Sequence, residues 1–229
     1  MSKKYKDRED AGRILAREIS YMAKKRNIDI NQDNAVILAI PDEGVIPAYV
    51  VANELNLKIN LIVVGKLKLP NSDIGFGSIT IDGTTVLNDA MINKYRLRED
   101  KISKIEKEVI DKMVNKIELY EIPLINLELL KDKYVIIVDE GAETGYSMIG
   151  AIKSINLITE PKIIIVAIPT SSFHAIMVIN RYTPHIVCPN IVDSFFFQVR
   201  NSYNEYYKLD NEIVLKYIDK IKEKNILFS

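Results

Sequence analysis

The sequence is poor in the residues that mark several specialised classes of protein. It has a single cysteine, Cys188, so no internal disulfide can form, and it has no tryptophan. Its two histidines, His174 and His185, have no cysteine or acid at the spacing of metal ligands, so neither indicates a metal site. The 31 basic and 31 acidic residues cancel, and the chain therefore carries no net charge that would favour binding to nucleic acid.

Long hydrophobic runs are also missing. No uninterrupted apolar run approaches the ~20 residues of a membrane span, and the charged start MSKKYKDRED is unlike a signal peptide. With 48% hydrophobic and 27% charged residues, the composition is that of an ordinary globular protein. We therefore expect a cytoplasmic protein with neither a membrane nor a nucleic acid as partner, folded as a single domain over residues 1–229.

Short apolar strands alternate along the chain with helices. The patterns predict helices at about 7–26, 45–57, 98–120, 147–157 and 172–179, and strands at about 35–40, 59–64, 134–139, 162–169 and 185–188. The polar stretch 65–73 is predicted to be a loop, and an apolar stripe over 214–221 indicates a C-terminal helix. Shorter extended pieces are predicted near 77–81 and 84–87, on either side of the turn signal Asp82-Gly83. This alternation is typical of βαβ units, so it predicts an α/β fold with a mainly parallel, twisted sheet flanked by helices.

One loop after a predicted buried strand carries residues suited to a phosphorylated sugar. The run VIIV is followed by Asp139 and Glu140, and then by GAETGYS, which leads into a helix. Backbone N–H groups at the positive end of that helix, with the hydroxyls of Thr144 and Ser147, can surround a phosphate. The paired carboxylates are acceptors for ribose hydroxyls and can attract a Mg²⁺ ion that is held by phosphates.

The segment VIIVDEGAETGYSM resembles the 5-phosphoribosyl-1-pyrophosphate (PRPP) binding motif of the type I phosphoribosyltransferases. The segments DREDAGRILA, AIPDEGVIPAYVVANEL, VGKLKLPNSDIGFGSI and PNIVDSFFFQVRNSYNEYY resemble a bacterial and archaeal branch of that family. The resemblance covers most of the chain. It implies a Rossmann-like core over about 30–190, followed by a small hood and the C-terminal helix over about 190–229.

The resemblance also implies roles for individual residues. Asp139 and Glu140 would hold the ribose hydroxyls and, through the ligand or water, Mg²⁺. Lys66 would begin a mobile loop and meet the pyrophosphate, and Phe196 or Phe197 would stack on the acceptor. The remaining substrate-binding positions fall in the 5-phosphate loop, which contains Gly141, Ala142, Thr144, Gly145, Tyr146 and Ser147, and in the pyrophosphate loop, which contains Pro41, Asp42, Glu43 and Gly44.

Glu143 has two interpretations. Its motif position corresponds to one where the hypoxanthine and guanine enzymes of the family carry an aspartate near the purine, so Glu143 could act as a general base. The alternative, which is commoner for a glutamate in a loop, is a solvated side chain.

The sequence departs from the family pattern near the pyrophosphate. Asp42 and Glu43 stand where the branch usually has arginine and glycine, and Gly65 stands where arginine is common. Two like charges 4 Å apart repel by roughly 4 kcal/mol at an effective dielectric constant near 20. The two acids would therefore oppose pyrophosphate binding unless Mg²⁺ bridges them or they turn outward.

The expected function is Mg²⁺-dependent transfer of a phosphoribosyl group from PRPP to a small-molecule acceptor that resembles a nucleobase, with release of pyrophosphate. The alternative is a catalytically impaired module that binds a phosphoribosyl ligand and regulates another process. An α/β-hydrolase is disfavoured, because Ile149 occupies the glycine position that follows the serine in a nucleophile elbow. A homodimer is expected, and Tyr120 with the long helix before it is one candidate for the contact.

Overall fold

The structure is a computed structural model that describes residues 4–194 and 196–229. Its helices are α1 (Arg8–Lys25), α2 (Val45–Leu55), α3 (Asp89–Tyr95), α4 (Glu99–Tyr120), α5 (Tyr146–Ile158), α6 (Phe173–Ile179) and α7 (Asn211–Glu223). Its strands are β1 (Ala35–Ala39), β2 (Lys58–Leu61), β3 (Val64–Lys68), β4 (Gly75–Thr80), β5 (Thr85–Leu87), β6 (Tyr134–Val138), β7 (Ile163–Ala167), β8 (Thr170–Ser172), β9 (Ile186–Val187) and β10 (Asn190–Val192). Short 3-10 helices lie at Leu127–Leu130 and Val199–Ser202.

A five-stranded parallel sheet forms the centre of the fold, with strand order β2-β1-β6-β7-β9. Every residue of β1 and of β6 is buried, which explains why both strands are continuously apolar in the sequence. The predicted α/β class with a mainly parallel sheet is confirmed. The carboxyl ends of β1 and β6 lie side by side, because Ala39 pairs with Val138.

Helices cover both faces of this sheet. On one face α1, α2 and α7 pack against side chains such as Ile37 and Ile136, and on the other α5 and α6 pack against side chains such as Leu38 and Ile137. Gly12 allows α1 to lie close to α2, since a Cβ atom there would stand 2.7 Å from the Cβ of Val50. The N-terminal helix is therefore part of the main core.

A second sheet agrees with the sequence-based prediction in β4 and β5 and departs from it in β3. Strands β3, β4 and β5 form an antiparallel sheet, against which α4 packs. The predicted strand at 59–64 is in fact two strands, because β2 ends at Leu61 and β3 begins at Val64. The predicted loop placement of Lys66 is wrong, since Lys66 lies within β3. Gly65 signals close packing here rather than a turn: a Cβ atom at Gly65 would lie 2.1 Å from Cγ1 of Val109 on α4.

The two ends of the chain are both tied to this framework. Tyr5 bridges to Tyr203, and its amide donates to the carbonyl of Ser202 over 2.8 Å. Near the other end, the amide of Phe228 donates to the carbonyl of Ile59 on the edge strand β2 over 2.9 Å. Within the described residues, no helix has the length and apolar composition needed to cross a membrane.

Candidate functional site

A cavity of about 330 Å³, here called the cleft, lies at the carboxyl ends of β1 and β6. It is walled by the loops after these strands, by the antiparallel sheet and by the segment after β10. The predicted site residues that line it are Glu43, Lys66, Asp139, Glu140, Gly141, Ala142, Glu143, Thr144, Gly145, Tyr146 and Ser147. The structure thus brings most of the predicted residues together where ligands bind in parallel α/β sheets.

The predicted 5-phosphate loop is held from behind. The amide of Ala142 donates to the carbonyl of Thr170 over 3.0 Å, and the Ser172 hydroxyl donates to the carbonyl of Glu143 over 2.7 Å. The amides of residues 143–148 donate to no acceptor within 4–194 and 196–229. Six consecutive N–H groups at the start of α5 are therefore available to an anion, as at other helix N-termini that bind phosphate.

Gly145 fixes the entry of this loop into α5. Its φ of 81° lies in the left-handed region, which favours glycine. A Cβ atom at this position would also lie 2.9 Å from Cγ1 of Ile179. Both the backbone conformation and the available space therefore require glycine.

Asp139 lies at the floor of the cleft and is 6% exposed. Its Oδ1 accepts the amide of Glu140 over 2.7 Å. Burial raises the pKa of Asp139 to about 7, with the carboxylates of Glu43 and Glu140 adding to the shift and Lys66 opposing it. The carboxyl group therefore changes its charge near neutral pH.

Glu140 forms a buried ion pair with Arg8 of α1, with 2.6 Å between Oε2 and Nε. Arg8 also donates through Nη1 to the carbonyl of Tyr207 over 3.0 Å, and its guanidinium carbon lies 4.7 Å from the ring centroid of Tyr206. Burial raises the pKa of Glu140, although Arg8 opposes the shift. The sequence analysis missed Arg8. The spacing of residues could have indicated that Arg8 is buried, because it precedes Ala11 and Leu15 by three and seven residues and so lies on the buried stripe of α1.

The predicted pyrophosphate loop turns one of its two acids away. The Asp42 carboxylate accepts hydrogen bonds from Nζ of Lys116 and from the hydroxyl of Tyr120, both on α4. Glu43 instead lines the cleft. Burial, followed by the hydrogen bond to Asp42, raises the pKa of the Tyr120 hydroxyl. Tyr120 is 1% exposed, so its suggested place in a dimer contact is wrong, and the homodimer itself stays a prediction.

The backbone of this loop is tightly packed. A Cβ atom at Gly44 would lie 2.4 Å from the carbonyl oxygen of Ile40 and 2.8 Å from that of Val138. Gly44 donates to the carbonyl of Ile40, whereas the amides of Asp42 and Glu43 donate to no acceptor in the described parts of the chain. Two N–H groups of this loop are therefore also free to meet an anion.

Lys66 extends from β3 into the cleft, where its side chain is exposed. The protein atoms around the ammonium group displace water, and this desolvation alone would lower the pKa of Lys66. The surrounding carboxylates, led by Asp139 and Glu43, together have the larger effect and raise its pKa overall. Lys66 makes no ion pair within 4 Å to any carboxylate of the described residues. Its ammonium group is thus held charged and available at the centre of an acidic cluster.

The segment after β10 supplies a different aromatic side chain from those expected. Phe196 is 90% exposed and Phe197 packs beside Tyr5, so neither lines the cleft, whereas Tyr206 does. Phe195 lies outside the described residues.

Glu143 contacts the same segment. Its Oε1 accepts the amide of Val199 over 3.2 Å, which ties the loop before α5 to the segment after β10. The side chain is exposed and lines the cleft. Its role as a general base stays a prediction.

Comparison with known proteins agrees with this geometry. A family model described as "Phosphoribosyl transferase domain" matches residues 9–204. This chain belongs to that family. Proteins of two Mycobacterium tuberculosis strains, each named "Putative phosphoribosyl transferase", are 26% identical to it over 224 residues, which is 95% of this chain.

The chain spans about half of those relatives, since the match covers 47% of their length. A solved structure also resembles this phosphoribosyl transferase domain. The protein TT1426 from Thermus thermophilus has a TM-score of 0.72 and 22% sequence identity, over 95% of this chain and 98% of that one. At this identity the likeness supports the fold alone.

Proposed function

We propose that this phosphoribosyl transferase domain binds PRPP with Mg²⁺ in the cleft and transfers the phosphoribosyl group to a nucleobase-like acceptor, with release of pyrophosphate. One observation carries the proposal: within the described residues, the six N–H groups of 143–148 have no acceptor, and they lie shortly after two buried carboxylates, Asp139 and Glu140. A sugar phosphate carries an anionic group at one end and hydroxyl donors on its ring. The arrangement therefore suits both of its ends.

The 5-phosphate would lie against the loop before α5. The helix dipole and the N–H groups of residues 143–148 favour a dianion there, and the hydroxyls of Thr144 and Ser147 can add hydrogen bonds. The ribose hydroxyls would donate to Asp139 and Glu140. An ionised Asp139 is the better acceptor because both of its oxygens then only accept, and its pKa of about 7 gives a larger ionised fraction as the pH rises above neutral.

The acidic cluster fits an indirectly held Mg²⁺ ion. The carboxylates of Glu43, Asp139 and Glu140 supply hard oxygen donors and negative charge beside the site proposed for pyrophosphate. Within the described residues, no group of three or more His, Cys, Asp or Glu side chains is arranged to hold a metal ion directly. Asp139 and Glu140 would therefore hold Mg²⁺ through ligand oxygens or water, and the bound ion would neutralise charge on the leaving pyrophosphate.

The chain's own residues would stabilise the separation of charge during transfer. The anomeric carbon becomes cationic as its bond to pyrophosphate breaks, and the carboxylates below the sugar favour that charge. Lys66 and the free amides of Asp42 and Glu43 would favour the departing anion. Tyr206 and Val199 also line the cleft, and we place the approach of the acceptor beside them, where their side chains would exclude water.

Calorimetric titration with PRPP, with and without Mg²⁺, tests this function, followed by a screen of nucleobases for pyrophosphate release. Asp139→Asn, which keeps the shape of the side chain, should weaken PRPP binding at least about tenfold through the lost ribose contacts. Asp132→Asn is the matched control, because Asp132 is exposed and does not line the cleft. Equal PRPP affinity in the wild type and Asp139→Asn would contradict the site assignment.

A catalytically impaired binding module is the second candidate function. It is favoured by Glu43, whose carboxylate lines the cleft beside Asp139 and adds repulsion toward pyrophosphate. Binding of PRPP without pyrophosphate release for any nucleobase would support the module. Absence of PRPP binding would reject both functions.

A further inference from the structure

A second cavity, of about 660 Å³, adjoins the cleft on the side of the pyrophosphate loop. It lies between that loop, the end of β3 and helix α4. Its charged lining residues are four lysines and four acids, namely Lys66, Lys68, Lys112, Lys116, Asp42, Glu43, Glu108 and Asp139. The formal charges of these lining residues cancel. Whether the second cavity attracts or repels an anion therefore depends on which acids are paired with a cation.

Asp42, which stands where the family branch usually has arginine, is paired with two residues of α4. Lys116 and Tyr120 are four residues apart, so they lie on one face of the helix, and both donate to the Asp42 carboxylate. Tyr120 is fully enclosed, while the side chains of Lys116 and Asp42 are 41% and 21% exposed. The charge of Asp42 is therefore compensated, and its carboxylate is directed toward α4.

We propose that Lys116 and Tyr120 are positioning residues for the pyrophosphate loop: they hold Asp42 against α4, so that the loop presents its free N–H groups to the pyrophosphate of PRPP. The inference rests on the proposed function. It explains how a loop with an acid in the place of a cation can still accept an anion. Among the described residues the amides of Asp42 and Glu43 have no acceptor, whereas those of Gly44 and Val45 donate to the carbonyls of Ile40 and Asp42.

Removal of Lys116 would leave the lining of the second cavity with one negative charge in excess. The 5-phosphate loop would be untouched, because Lys116 does not line the cleft. The inference therefore predicts a loss that depends on the pyrophosphate part of the ligand. A structural defect would instead weaken every ligand alike.

The test compares PRPP with Mg²⁺ and ribose 5-phosphate by calorimetry. Lys116→Met should weaken PRPP binding at least about fivefold and leave ribose 5-phosphate within about twofold of the wild type. Tyr120→Phe should shift the PRPP affinity in the same direction. Adding Asp42→Asn to Lys116→Met removes the uncompensated charge and should restore PRPP affinity to within about twofold of the wild type.

Lys107→Met is the matched control, since Lys107 is an exposed lysine of α4 that lines neither cavity. The inference is overturned if Lys116→Met weakens both ligands equally, if it matches Lys107→Met, or if Asp42→Asn fails to rescue it. If the wild type binds neither ligand, both the proposed function and this inference are rejected. If the wild type binds both and only the variants behave otherwise, the inference alone fails.

Discussion

Arg8 offers the sharpest test of how the candidate site is stabilised. Arg8→Met keeps most of the side-chain volume but removes the cation that pairs with Glu140 across 2.6 Å. Loss of one partner from a buried ion pair costs about 3–5 kcal/mol, because the other charge stays buried. The Glu140 side chain is 9% exposed and borders the cleft, so water can reach it and the lower figure applies. We expect a loss of about 3 kcal/mol in the free energy of unfolding.

The free energy of unfolding that Arg8→Met loses should be smaller at low pH than at neutral pH. Burial already raises the pKa of Glu140 against the opposing effect of Arg8, so Arg8→Met should raise that pKa further. A carboxyl whose pKa is raised by folding destabilises the native state when ionised, and this penalty disappears as the pH falls through the folded pKa. Urea unfolding followed by circular dichroism should therefore give a smaller difference between variant and wild type at about pH 5 than at about pH 7.5.

Two further variants separate charge from packing. Adding Glu140→Gln to Arg8→Met should recover more than half of the loss, since no charge is then buried alone. Arg13→Met on the same helix should cost less than about 0.5 kcal/mol, because the Arg13 side chain is 41% exposed and pairs with Glu9 at 3.7 Å. An Arg8→Met loss as small as that of Arg13→Met, or no recovery in the double variant, would refute this account of Glu140.

Three other predictions concern the cleft. Gly145→Ala should lower the free energy of unfolding, measured by thermal unfolding, by at least about 2 kcal/mol, and it should abolish ribose 5-phosphate binding. Gly83→Ala is the control, because Gly83 also has a positive φ of 86° but no atoms near its Cβ position, and it should cost about 1 kcal/mol. Equal costs would contradict the packing argument. Because folding raises the pKa of Asp139 to about 7, its contribution lowers stability as pH rises from about 4 to 7, by at most about 1.4 kcal/mol per pH unit. Asp139→Asn should flatten that part of a urea-unfolding pH series, and an unchanged slope would disprove the shift. Glu43→Gln should raise the affinity for PRPP when Mg²⁺ is removed by a chelator, because one repelling charge is lost. It should also reduce the increase in PRPP affinity that Mg²⁺ causes. An unchanged effect of Mg²⁺ would exclude Glu43 from the surroundings of the ion.

The parallel core was predictable because its signals are local. Strands such as β1 and β6 are buried on both faces, and each is followed at once by its loop, so apolar runs and polar breaks in the sequence coincide with structure. In the antiparallel sheet, β4 and β5 were predicted from the turn signal between them, whereas β3 was not. Gly65 and the lysines of β3 have the composition of a loop, and the segment is a strand because it pairs with β4 and packs against α4.

The composition of the candidate site was predictable, but the direction of its side chains was not. The motif at 139–147 identified the loop before α5 and the acid pair. It gave no sign that Asp42 faces α4 or that Glu140 faces Arg8, because those partners are 74 to 132 residues away in sequence. The surroundings of an ionisable group depend on such distant partners, so charge repulsion estimated from neighbours alone overstated the problem at Asp42.

The neutralisation of Glu140 joins distant parts of the polypeptide. Arg8 is 132 residues from Glu140 and 199 residues from Tyr207, whose carbonyl also accepts from it. During synthesis on the ribosome, Glu140, which follows β6, emerges well before Tyr206 and Tyr207. Contacts between residues so far apart in sequence are slow to form. The nascent chain should therefore contain all five strands of the parallel sheet before the pair of Arg8 and Glu140 can be enclosed.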